Sequence, residues 1–181
     1  MLEPLKRWSP PALNALNWGL MFGSVLLCAM AMPVSLPSME LTGVGPNWLL
    51  IWVVTWSVKR NILQGAAAGI CLGWIQDGLT APQPTHAIAL GLVGILTAAL
   101  QKPKFIAEDF ISVALIVFGM AAIAETVTAV QVSLVSDRPL QEIWLHQRQI
   151  ALSSAILSSL WAPVVYYPLN SWWQFLHQIE Q

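Results

Sequence analysis

Along most of the chain, apolar residues continue in long blocks instead of alternating with polar ones, and short stretches rich in proline, glycine or charge separate the blocks. Blocks of about 20 apolar residues suit helices that cross a hydrocarbon core of about 30 Å. The first runs from Asn14 to Met32 and stops at Pro33 and Pro37. The second, Pro46 to Val58, is short, reaching only about 20 Å at 1.5 Å per residue. A third is predicted from Ile62 to Leu79, a fourth from His86 to Leu100 and a fifth from Ile106 to Val135. The last runs from Ile150 to Asn170, behind a short amphipathic stretch with His146 and Arg148. The pattern predicts an all-α membrane protein, with six transmembrane helices in one bundle and a single polytopic domain over residues 1–181.

Composition agrees with this reading. Of 181 residues, 56% are hydrophobic and 9% charged, against about 25% charged in an ordinary soluble domain. A net charge of -1 offers no basis for nucleic-acid binding. Cys28 and Cys71 both lie inside apolar runs and read as small core residues.

The cations add a direction. Lys6, Arg7, Lys59, Arg60, Lys102 and Lys104 fall on one side of the expected membrane, leaving Arg138 and Arg148 opposite. This is the positive-inside pattern, and it places both termini in the cytoplasm. Tyr166, Tyr167, Trp172 and Trp173 are expected as interfacial anchors near the end of the last helix. Lys6-Arg7, the first apolar run and Ala29-Met-Ala31 also imitate a cleaved signal peptide. An uncleaved first helix keeps the span number even and both ends on one side.

Candidate chemistry is sparse. His-Glu-x-x-His, Gly-x-Ser-x-Gly, phosphate-cradling glycine loops and paired Cys-x-x-Cys are all missing, so no catalytic, cofactor-binding or metal-ligating residue is assigned. Polar residues at membrane depth are the next place to look. Glu125 is either a proton or cation site or a carboxyl that is protonated, hydrogen-bonded to a neighbouring helix or nearer the outer interface. The second is preferred, because the topology sets no second acid or matched cation at its depth. His146 and Arg148 read as an interfacial amphipathic turn rather than an anion site. Glu108 and Asp109 beside Lys102 and Lys104 read as a solvated cytoplasmic rim, with a cytoplasmic partner surface as the alternative. Trp48, Trp52 and Trp56 share one face of the second helix and read as an aromatic belt, with a sterol or lipid groove as the alternative.

Small residues say more. Gly65, Gly69 and Gly73 give two overlapping Gly-x-x-x-Gly steps, a spacing that lets helix backbones approach closely in a membrane. Ala151, Ser154, Ala155, Ser158 and Ser159 form a similar face on the last helix, where Pro163 is expected to release a carbonyl and kink it. Each face packs the protein's own bundle or receives a partner's helix, and the first is the default. Asp77 stands one further four-residue step beyond Gly73. At the C-terminal end of its own helix it gains nothing from the helix dipole and needs another partner. The free amides at the start of the fourth helix near Thr85 and His86 are one; Arg138 or Arg148 is the other. Asp77 is expected to latch the turn, with direct contact to a partner protein as the alternative.

Pro46-Asn-Trp-Leu-Leu50 opening a short second span, Gly73-Trp-Ile-Gln-Asp77-Gly-Leu79 closing a glycine-rich third, and Thr85-His-Ala-Ile-Ala-Leu90 after a proline-containing turn resemble the MreD family of bacterial rod shape-determining membrane proteins. The similarity is strongest from Pro46 to Leu100; where members often have a glycine in the turn, this chain has Pro84-Thr85. The resemblance implies a non-enzymatic scaffold of the cell-wall elongation complex in the bacterial cytoplasmic membrane, multi-pass and surrounded by membrane lipids. It implies as partners an MreC-like single-span protein, a RodA-type glycosyltransferase with its transpeptidase and, indirectly, MreB. It also implies a bundle similar to the substrate-binding subunits of energy-coupling-factor transporters. Asp77, Gly65, Gly69, Gly73, Pro46, Trp48 and Glu125 are the residues expected to matter for structure or partner contact. A vitamin- or metal-binding membrane subunit of a transporter is the competing class, and an intramembrane enzyme the third.

Overall fold

The computed structural model describes residues 10–33, 41, 43–80, 85–100, 110–135 and 140–180. Among the described residues six helices follow one another: α1 (Pro10–Ala31), α2 (Trp48–Ser57), α3 (Ile62–Leu79), α4 (His86–Ala99), α5 (Phe110–Val135) and α6 (Leu140–Glu180). Among the described residues there is no strand. Lys6, Arg7, Lys102, Lys104, Glu108, Asp109 and Arg138, to which the sequence assigned an orientation or a rim, lie outside the described residues, as does the side chain of His146.

Three helices, α1, α5 and α6, contain windows long and apolar enough to cross a membrane, Leu13–Ala31, Ile111–Val135 and Gln147–Leu176. The other three differ for physical reasons. α2 has 10 residues and α4 has 14, or about 15 and 21 Å of rise. α3 has 18 residues, but its glycines, Gln64, Gln76 and Asp77 dilute its hydropathy. The fifth helix is described from Phe110, and its expected start at Ile106 lies outside the described residues; the amphipathic stretch before the last span is not a separate element. α6 runs unbroken for 41 residues with Pro163 and Pro168 inside it.

The shortest helix is the centre. α2 packs against all five others, and Leu49, Leu50, Ile51, Trp52, Val53 and Val54 are buried around its whole circumference. A helix apolar on every face is what a core position selects. Two close pairs, α3 with α4 and α5 with α6, surround it, and α1 packs chiefly on α2. Trp18, Phe22, Leu26, Leu27 and Met30 leave most of the surface of α1 apolar and uncovered.

Polar bonds tie α2 to α6 at both ends. At the start of α2, the Asn47 amide donates to Ser158 Oγ at 3.0 Å, while the Asn47 side chain caps the helix by accepting from the Leu50 amide at 3.0 Å. Past its end, Lys59 Nζ donates to Asn170 Oδ1 at 2.7 Å. Both links join residues 111 positions apart, so the two helices run parallel and in register.

The aromatic belt on α2 is corrected at Trp52 by this packing. Trp52 is buried, stacks on Trp56 at 6.0 Å and donates its indole N–H to Ser24 Oγ at 2.8 Å. Trp48 sits against Trp161 at 5.5 Å. Tyr166 and Trp173, expected as interfacial anchors, are also core residues, because α6 turns that face towards the bundle.

Candidate functional site

The glycines of α3 meet α4 with almost no side chain between the helices. A Cβ on Gly65 would stand 2.5 Å from the Gly94 carbonyl oxygen. One on Gly69 would overlap the Leu90 carbonyl, and one on Gly73 would overlap the Ala87 backbone. Successive glycines going up α3 meet successively earlier residues of α4, so the two form a close antiparallel hairpin. The face packs the chain's own bundle.

Asp77 closes the same hairpin. Thr85 Oγ1 donates to its Oδ2 at 2.6 Å, and the His86 amide donates to its Oδ1 at 2.7 Å. His86 Nδ1 lies 2.8 Å from the same oxygen, close enough for the ring to donate to it as well. Thr85 is also the N-cap of α4, with its hydroxyl oxygen accepting from the Ala87 amide at 3.3 Å. Of the two expected partners, the carboxylate meets the helix start. There it accepts from an amide that has no partner within its own helix and faces the positive end of the α4 dipole. The side chain is 13% exposed. Charge-assisted bonds in so sheltered a place are stronger than neutral ones.

The remaining named residues lie apart from this hairpin. Pro46 leads into the capped start of α2, where Asn47 and Trp48 face α6 through Ser158 and Trp161. Glu125, on α5, accepts from Gln147 Nε2 of α6 at 3.0 Å and also interacts with Ser154 and, through charge, with His86. The carboxyl is thus held by a neighbouring helix. The expectation that no cation shares its depth is corrected, because Arg148 lines the same cavity as Glu125. The cause is the single long α6, which carries the amphipathic stretch back over α5 instead of leaving it as an independent surface turn.

Sequence reasoning placed Ser158 on a small-residue packing face without its partner and missed Asn170 and Gln147 as fastening points. Asparagine and glutamine on a mixed helix give no periodic signal, and only the register of α6 against α2 and α5 reveals the partners of all three. Among the described residues, no group of three or more His, Cys, Asp or Glu side chains could hold a metal ion.

These features define an all-helical chain with the composition and the three long apolar helices of a membrane protein. No protein-family model, curated protein or solved structure matches it.

Proposed function

We propose that the protein is a non-enzymatic scaffold of the bacterial cell-wall elongation complex, of MreD type, in the cytoplasmic membrane with both termini in the cytoplasm. The order and spacing of Pro46-Asn-Trp48, the Gly65, Gly69 and Gly73 face, Asp77 and Thr85-His86 carry this reading. In support, these residues have constructional roles: Asn47 caps α2, the glycines seat α3 on α4, and Asp77 fastens the turn. A chain whose strongest motifs build a rigid bundle, and whose α1 is apolar and largely uncovered, suits the binding of other membrane helices. The partners would be an MreC-like single-span protein and a RodA-type glycosyltransferase with its transpeptidase, with MreB reached indirectly.

The cavity beside Glu125 favours a second reading, a small-molecule-binding transporter subunit. Affinity purification of the tagged full chain from bacterial membranes in mild detergent, followed by mass spectrometry, separates the two. A single-span partner and a glycosyltransferase are expected. Recovery of a transport ATPase with a bound vitamin, and of no cell-wall protein, overturns the scaffold.

A further inference from the structure

Between α5 and α6 lies a cavity of about 440 Å³, within the range of small-ligand sites. Its polar lining is Glu125, Thr126, Gln147 and Arg148, the Thr126 hydroxyl donating to the Ala122 carbonyl of its own helix, and its apolar wall includes Ala129, Ala151 and Trp144. Gln147 and Ser154 engage the carboxylate, but a carboxylate has room for about four hydrogen bonds. Arg148 forms no ion pair with Glu125 among the described residues, although both groups face the same space. A carboxyl and a guanidinium therefore border one cavity with no ion pair between them.

We infer that this cavity binds a zwitterion, its primary ammonium on Glu125 and its anionic group on Arg148. A lone cation would leave the guanidinium uncompensated, and a lone anion would sit against the carboxylate. A ligand with both ends matches both walls. A primary ammonium is favoured over a quaternary one because the carboxylate accepts N–H bonds, whereas a quaternary group wants a cage of several aromatic rings. Trp144 is a single ring at the rim, 46% exposed. Phosphoethanolamine is this chemistry, whether as the headgroup of a phospholipid or as a free water-soluble ester. The inference is independent of the scaffold reading.

The test uses the purified full chain in detergent and reads the melting temperature. Mixed micelles carry equal mole fractions of phosphatidylethanolamine, phosphatidylcholine or phosphatidylglycerol, and a separate arm adds glycerophosphoethanolamine without lipid. Phosphatidylethanolamine should raise the melting temperature by about 5 °C beyond the other two lipids. Glu125→Gln and Arg148→Gln should each abolish that increment, while Arg60→Gln, at the opposite end of the bundle, should keep it. If glycerophosphoethanolamine gives the same increment, the ligand is the free ester; if it gives none, the lipid is the ligand. Equal increments from all three lipids, or an increment that survives both Glu125→Gln and Arg148→Gln, overturns the inference.

Discussion

Asp77 shows how one side chain can set a turn. Its two oxygens take three contacts from Thr85 and His86, all 2.6 to 2.8 Å long, and Thr85 also caps the helix that His86 begins. The end of α3 and the start of α4 are therefore held together at one carboxylate. Replacing the carboxylate by leucine leaves the His86 amide and the Thr85 hydroxyl without an acceptor in a sheltered place, at a cost of about 2 kcal/mol. Asparagine keeps one carbonyl oxygen but loses the charge, at about half that cost. Thermal or denaturant unfolding in detergent should rank parent, Asp77→Asn and Asp77→Leu in that order. Equal stability of all three, with loss of partner recovery in both variants, would transfer Asp77 from the turn to a protein interface. The need for a partner was legible in the sequence, because a carboxylate at a helix C-terminus has none of its own. Which partner it takes was not, since Arg138 and Arg148 met the same electrostatic requirement.

At the scale of elements, small residues and tryptophans were legible to different degrees. Gly65, Gly69 and Gly73 announce a close approach because glycine is costly in a helix unless something needs the space, and α3 has the bounds its pattern predicts, Ile62–Leu79. Of the α2 tryptophans, Trp52 departs from the belt reading while Trp48 and Trp56 are half-buried at the two ends; an indole suits a core as well as an interface, and one chain's pattern cannot show that five helices surround the shortest. The join of the amphipathic stretch to α6 was hidden for a similar reason: a polar first half and an apolar second half look like two elements. The glycine face yields a paired prediction. Gly69→Ala puts a methyl group into the Leu90 carbonyl, so the helices must separate, at a cost of about 1–3 kcal/mol. Gly19→Ala meets nothing within 4 Å and should be neutral or slightly stabilising, because alanine is the better helix former. Unfolding midpoints of the two variants, measured side by side, check both directions. A Gly69→Ala protein as stable as the parent would mean that α3 and α4 are not in close contact.

For the whole molecule, the register of α2 and α6 bears on how the chain sits in a membrane. Asn47 with Ser158 fastens one end and Lys59 with Asn170 the other, so α2 and α6 point the same way. The antiparallel hairpin of α3 and α4 lies between them in sequence, and one more helix, α5, must bring the chain back. Parallel second and sixth helices are what alternate crossings produce. In that arrangement Lys59, Arg60 and the ends of α4 and α6 share a face, and cations prefer the cytoplasmic side. Single cysteines placed in a Cys28→Ala, Cys71→Ala background test this in intact cells. Gly45→Cys, at an exposed position before α2, should react with an impermeant thiol reagent added outside, as should Ser38→Cys, Gln83→Cys and Ser136→Cys. Asn61→Cys, exposed between α2 and α3, and Lys102→Cys should react only after the membrane is permeabilised. The reverse pattern would keep the bundle and invert it. Reaction of Gly45→Cys and Asn61→Cys from the same side would show that α2 does not cross, and its short rise would then mark a helix buried within the protein from one face.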